Sequence, residues 1–192
     1  MSFKRLLVVV PVALAIGCQS PIEPSSTPHG TTGSTRSAAE PPGTTGGGRL
    51  LVSGVLETAF TFNAVGTGDG GVAGRLHYSL TLDGLAVEFY GRVTCFAVDS
   101  VTHRAWVGGV VTENLSAHPS FTTPRTQVGR DIWFRVVDNG EGSDAVPDRS
   151  TIVGFEGDRG ILTSAEYCAR RLWVDGDVGT HPVTEGNIQV RP

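Results

Sequence analysis

Apolar residues recur at every second position through much of the chain beyond residue 74, and that period constrains the fold more than any other feature of the sequence. A period of two sends alternate side chains to opposite faces of an extended strand, whereas a helix needs a period near 3.6. From Arg75 to Leu82, the residues Leu76, Tyr78, Leu80 and Leu82 share one face and Arg75, His77, Ser79 and Thr81 the other. Ile132, Phe134 and Val136 alternate in the same way within Asp131–Asp138. The longest run, 85–98, sets Val87, Phe89, Val93 and Cys95 against Glu88, Tyr90, Arg92 and Thr94. Shorter strands are predicted at 50–56, 59–64, 104–112, 151–155 and 187–191. About eight strands separated by Gly, Asp and Pro turns predict an all-β fold, an antiparallel β-sandwich or barrel. One segment breaks the period. Thr163 and Glu166 have the spacing of a capping box, which predicts a short helix over 164–172, with another strand as the competing reading.

The first 48 residues follow a different rule. A basic start, Lys4-Arg5, precedes eleven apolar residues, Leu6 to Ile16. Eleven helical residues rise only about 16 Å, against the roughly 30 Å of a bilayer core, so residues 1–17 read as a signal peptide rather than a membrane span. The stretch Leu14-Ala15-Ile16-Gly17-Cys18 resembles the lipobox of bacterial lipoproteins. That resemblance implies diacylglycerol on the Cys18 thiol and cleavage just before it; ordinary cleavage, leaving a free Cys18 thiol, is the alternative. Gln19 and Ser20 stand where an inner-membrane lipoprotein of this kind would carry Asp, so in an organism with two membranes the resemblance favours the outer one. From Gln19 to Gly48, 22 of 30 residues are Gly, Pro, Ser or Thr. Such a stretch buries too little apolar surface to offset its ordering entropy. Residues 18–48 therefore read as a lipid-anchored flexible linker and 49–192 as the β-domain.

Charge and side-chain chemistry narrow the function classes. A formal charge of −4, with no basic stripe, excludes an electrostatic reader of nucleic acid. With Cys18 assigned to the lipid, Cys95 and Cys168 remain as an even pair in an oxidising compartment. A disulfide is the natural reading, two separately buried thiols the alternative. No Gly-x-Ser-x-Gly elbow, His-Glu-x-x-His motif or phosphate-cradling loop is present, so no catalytic residue is assigned and a non-enzyme is expected. In the acidic loop 138–148, Asp138, Glu141, Asp144 and Asp148 are a candidate calcium set. Turn chemistry is the favoured reading of the same loop, because Asp138-Asn139-Gly140 suits positive φ, and no cofactor is otherwise implied. Alternation puts Trp106, Trp133 and Arg135 on the faces opposite the predicted core. There they form either an exposed platform for a ligand such as a surface glycan, or, the favoured reading, a second covered face.

The order of the motifs also carries a resemblance. Phe60 and Phe62, Gly74-Arg75-Leu76-His77-Tyr78, 93–98, Ala105-Trp106-Val107-Gly108-Gly109, 134–142, Asp148 and Gly186-Asn187-Ile188-Gln189-Val190 resemble the post-COAP-1 type domain of secreted bacterial proteins. The resemblance covers nearly all of 49–192 and implies an extracytoplasmic β-module without a catalytic role. This chain departs from it by inserting 113–126 and 157–184. The expectation is a cell-envelope lipoprotein that presents a binding or structural module and meets a membrane through its lipid and a glycan or envelope protein through its fold. An apolar ligand carrier with a hollow barrel is the alternative, and a hydrolase with a dispersed site the least favoured.

Overall fold

The computed structural model describes residues 40–142, 144–173 and 177–192. The signal segment, Cys18 and the linker up to residue 39 lie outside the described residues. Nine strands form one antiparallel sheet: β1 (Gly43–Val52), β2 (Leu56–Gly66), β3 (Val72–Leu82), β4 (Leu85–Asp99), β5 (Arg104–Asn114), β6 (Asp131–Val137), β7 (Arg149–Thr151), β8 (Gly154–Phe155) and β9 (Thr180–Arg191). A single helix, α1 (Ser164–Arg170), precedes β9. Sequential hairpins order β1 to β6, β7 bridges β6 to β9, and β9 returns to pair with β1, so the sheet closes on itself. β7 and β8 share one edge of β6 as a single interrupted stave, which makes the sheet an eight-stranded antiparallel barrel rather than a sandwich.

The period-two pattern supplies the interior. Phe60 and Phe62 of β2, Leu76 and Tyr78 of β3, Val87, Phe89 and Val93 of β4, Ile132, Phe134 and Val136 of β6, and Ile188 and Val190 of β9 all point inward and are buried. An eight-stranded barrel is just wide enough for side chains to fill. Phe62 meets Phe134 edge to face at 4.9 Å, and Phe89 lies 5.0 Å from Phe155. The recess left between Phe60, Leu76, Tyr78 and Phe134 measures about 10 Å³, the room of a single water at most. This interior is a packed core, so the hollow carrier expected as the alternative has no observation in its favour. The 115–130 connection closes one end of the barrel. Its Phe121 packs on Phe89 and Phe155, and the Asn114 side chain donates to the carbonyls of Phe121 and Thr126.

Two sequence expectations are corrected here. The domain begins at Gly43, not Arg49, because the glycine-rich end of the expected linker is the first half of β1, paired with β2 on one side and β9 on the other. A Cβ on Gly46 would lie 2.9 Å from Ile188 Cγ1, and one on Gly48 only 2.0 Å from the Glu185 carbonyl oxygen. Glycine is what lets β9 close against β1 there. The strand expected over 50–56 is likewise divided by the Ser53-Gly54 turn between β1 and β2.

The second correction concerns the face of Cys95. The register between β4 and β5 skips a residue between Val93 and Cys95, a β-bulge at Thr94 that reverses which side chains face outward. Val93 points into the barrel, Phe96 and Val98 resume the inward positions, and Cys95 turns out to form a disulfide with Cys168 on α1. Gly108 is the residue opposite Cys95, and a Cβ there would sit 2.8 Å from both Cys95 Sγ and Ser164 Cβ.

A chain beginning at Arg49 loses six residues that pair on both sides of β1. At about 0.5–1.5 kcal/mol per lost hydrogen bond, the loss rivals a typical total stability of roughly 5–15 kcal/mol. Circular dichroism and urea titration are expected to show that chain unfolded and a chain beginning at Glu40 folded; equal midpoints would refute the assignment of 43–48 to the barrel.

Burial pushes the Tyr78 phenol up to about 12. Below pH ~10 the phenol is neutral in both folded and unfolded chains, so its contribution to stability is complete. Between pH ~10 and ~12 only the unfolded chain ionises, and about 2–3 kcal/mol of stability drains away. The urea midpoint is expected to fall over that window, and less steeply for Tyr78→Phe; identical slopes would show that Tyr78 is not the group.

Candidate functional site

Outward positions on β5 and β6 place Trp106, Trp133 and Arg135 side by side on the barrel wall. All three are buried, at 0%, 5% and 0% exposure. The expected alternative of an open platform is therefore corrected: residues 156–173 and 177–179 cover this face, and the three residues are the seat of that cover. α1 forms where Thr163 caps it, the Thr163 hydroxyl accepting from Glu166 N–H at 3.1 Å while Glu166 accepts from Leu162 N–H at 3.0 Å. It ends at Arg170, two residues earlier than expected, because Arg171 turns into the left-handed region at φ 45°. Tyr167 of α1 stacks on Trp133 with centroids 5.7 Å apart. The disulfide ties Cys168 on the same helix to β4.

Beyond α1, residues 171–173 and 177–179, here called the strap, lie against the wall and take their side-chain bonds mostly from cations. The Trp106 indole N–H donates to the Leu172 carbonyl at 2.8 Å. Arg135 donates to the carbonyls of Leu172, Trp173 and Val178, the last at 2.7 Å. Asp177 lies 3.7 Å from Arg104 and 3.4 Å from Arg149. Burial pulls the Arg135 pKa down, opposed by Tyr167 and Asp177. A guanidinium starts so far above neutrality that it stays charged. Its forked donors match converging carbonyls in a way a lysine ammonium does not.

Between the strap and the β7–β8 stave the cover leaves a cleft of about 300 Å³. Trp133 and Tyr167 form its floor, Ile152, Val153 and Ile161 one side, and Trp173, Val178 and Gly179 the other. At its mouth the Arg159 guanidinium sits 5.1 Å above the Trp173 ring. Gly154 belongs there for steric reasons, since a Cβ would come within 2.5 Å of Trp133 Nε1. Arg159 and Trp173 both adopt left-handed backbone, φ 53° and 60°, which costs on the order of 1–2 kcal/mol for a residue with a Cβ. Burial drives the Tyr167 phenol far above its ordinary pKa, a rise that Arg135 and Arg159 oppose.

The candidate calcium ligands are placed otherwise. Asp138 accepts from the backbone N–H groups of Gly140 and Val190, and Asp148 from those of Asn139 and Ile188. Glu141 accepts from the Asn187 side chain at 2.8 Å, and Asp144 stands exposed in the turn. These carboxylates fasten the 138–148 loop to β9, and burial raises the Asp148 pKa against its two backbone bonds. Among the described residues no group of three His, Cys, Asp or Glu side chains could hold a metal. His77 bonds Glu88 at 2.9 Å and stacks on Tyr90, and His118 accepts from the Ser120 N–H. Among the described residues no serine hydroxyl hydrogen-bonds a histidine.

Sequence reasoning missed Tyr167, Arg159 and Ile152 as site residues. The capping box inside the 157–184 insertion marks the helix that carries Tyr167, and nothing local marks the other two. Comparison with known proteins adds no relative: no family model matches the chain, and neither a curated protein nor a solved structure is significantly similar to it.

Replacing Arg135 by Met leaves the Trp173 and Val178 carbonyls without their donor, while the Leu172 carbonyl keeps the Trp106 indole N–H. We expect a loss of about 3–5 kcal/mol in urea unfolding, the cost typical of removing a buried charged partner, together with a red shift of tryptophan emission as Trp173 meets water. Arg135→Lys should recover only part of it, and full stability in both variants would show that the strap does not hang on this residue.

Proposed function

We propose that the chain is a cell-envelope lipoprotein whose β-barrel acts as a binding module outside the cytoplasm, held by lipid on Cys18 and a flexible leash. The observation that carries the binding half is the cleft: an aromatic-floored recess of about 300 Å³ on the barrel wall, roofed by a strap with its own set of pins. Pockets of this kind, mostly apolar with a few convergent polar groups, are where small ligands bind. The Cys95–Cys168 disulfide supports the address, because structural disulfides persist in oxidising compartments. Sequence motifs resembling the post-COAP-1 type domain favour the same extracytoplasmic setting. With β1 starting at Gly43, the proposed leash is 19–42.

Cys18→Ser tests the anchor. The native chain is expected in the membrane fraction and the detergent phase of a Triton X-114 separation, heavier by a diacylglyceryl group, and the variant in the aqueous phase. A native chain that partitions into water without added mass would overturn the lipid anchor.

A further inference from the structure

Three of the polar side chains that line the cleft, Tyr167, Trp133 and Arg159, offer donors. Among the described residues neither the Tyr167 hydroxyl nor the Trp133 indole N–H has a hydrogen-bond partner, and both atoms are open to the recess rather than sealed in the wall. Arg159 adds a guanidinium at the mouth and forms no ion pair among the described residues. Among the described residues the one acid on the lining, Asp158, is already engaged: one oxygen accepts from the Phe155 N–H at 2.8 Å and the other pairs with Arg125. Arg135 places a second positive charge behind Tyr167, with its own donors turned to the strap. A recess with apolar walls, unpaired donors and an excess of positive charge lacks one complement, an acceptor carrying negative charge.

We propose that the cleft binds a small ligand with a single apolar ring and a carboxylate. The ring packs between the Trp133–Tyr167 floor and the flanks of Ile152, Val178 and Trp173, and the carboxylate meets Arg159 at the mouth and the Tyr167 hydroxyl within. This rests on the binding-module reading and names its ligand class. A volume of about 300 Å³ lies at the low end of the ~300–1,000 Å³ range for ligand sites, which suits one ring and not an extended chain. A sugar is the poorer fit, because its hydroxyl donors need acceptor side chains and the Asp158 oxygens are taken. One face of Trp173 also already carries Arg159. A carboxylate instead accepts a charge-assisted bond from the guanidinium and a second bond from the Tyr167 hydroxyl, which is open to the cleft. The left-handed backbone at Arg159 and Trp173 holds both side chains at the mouth before a ligand arrives, which limits the ordering cost of binding.

The test is calorimetric titration of the purified chain with 3-phenylpropionate, its neutral amide, and a tetrapeptide ending in phenylalanine. The acid is expected to bind at least about tenfold more tightly than the amide, the weight of one charge-assisted hydrogen bond. Arg159 is exposed, so Arg159→Gln should fold normally; it should abolish the preference for the acid and leave the amide unaffected. Tyr167→Phe should weaken acid binding severalfold. Tight binding of the peptide would mean that the carboxylate arrives at a chain end, and binding of the free acid alone that it arrives as a metabolite; both support the assignment. Equal affinity for acid and amide would overturn the carboxylate while leaving a binding cleft. No binding of any probe at millimolar concentration by a folded chain would overturn the ligand class, and partition of the native chain into membranes would still stand as the separate test of the envelope reading.

Discussion

Closure of the sheet is the constraint from which the rest of the structure follows. A β-sheet left open exposes unpaired backbone along two edges, and only full closure removes both. Here closure is made by one stave, β1, paired along its length with β2 and along most of it with β9. Its inward positions run Thr44, Gly46, Gly48, Leu50 and Val52, and the two glycines leave the room that Ile188 and Val183 occupy. Gly186 answers from the facing strand, where a Cβ would lie 2.0 Å from the Gly47 carbonyl oxygen. Residues with so little apolar surface join a strand because two neighbours hold their backbone, and the ladder replaces the packing energy that their side chains lack.

A closed wall filled from within still has an outer face, and on β5 and β6 that face carries two tryptophans and an arginine. Left in water they would form an apolar patch with an embedded cation. The chain covers them with α1 and the strap, and the means of attachment differ at the two ends. The helix is held by apolar contact and a disulfide whose loop of 73 residues corresponds to about 4 kcal/mol in the chain-entropy account. The strap packs Leu172 and Trp173 on the outer apolar cluster and takes its polar bonds from Arg135, Arg104 and Arg149. A buried guanidinium without a carboxylate at hydrogen-bond distance is tolerable because three main-chain carbonyls converge on it, two of which, those of Trp173 and Val178, have it as their donor.

How much of this was legible in the sequence depends on whether the information was local. Inward faces of β3 and β6 were legible, because alternation is read over seven or eight residues and the core enforces it. The helix was legible from the Thr163–Glu166 spacing, which is itself the hydrogen bond. The start of the barrel was not, since Gly43–Gly48 has the composition of a linker and becomes a strand only through partners 12 to 148 residues away. Nor was the outward turn of Cys95: the bulge at Thr94 uses an ordinary residue, and its cause is the pair of glycines opposite and the helix that must reach across. The carboxylates of 138–148 looked like ligands in number, but β9 offers them backbone N–H groups that a sequence cannot place. Trp133, Ile152, Arg159, Tyr167 and Trp173 meet from four separate segments, so the cleft had no local signature.

The cleft also differs in kind from the rest of the barrel. On the wall and its loops Asp138 and Asp148 each take two backbone donors, and Trp106 finds a carbonyl. At the cleft the Tyr167 hydroxyl and the Trp133 indole N–H make no bond to the described residues and stay open to the recess they line. The left-handed backbone at Arg159 and Trp173 costs on the order of 1–2 kcal/mol at each residue. Glycine at 159 would remove that cost within the same fold. Open donors and backbone strain on one lining are the pattern expected where a partner comes from outside the chain.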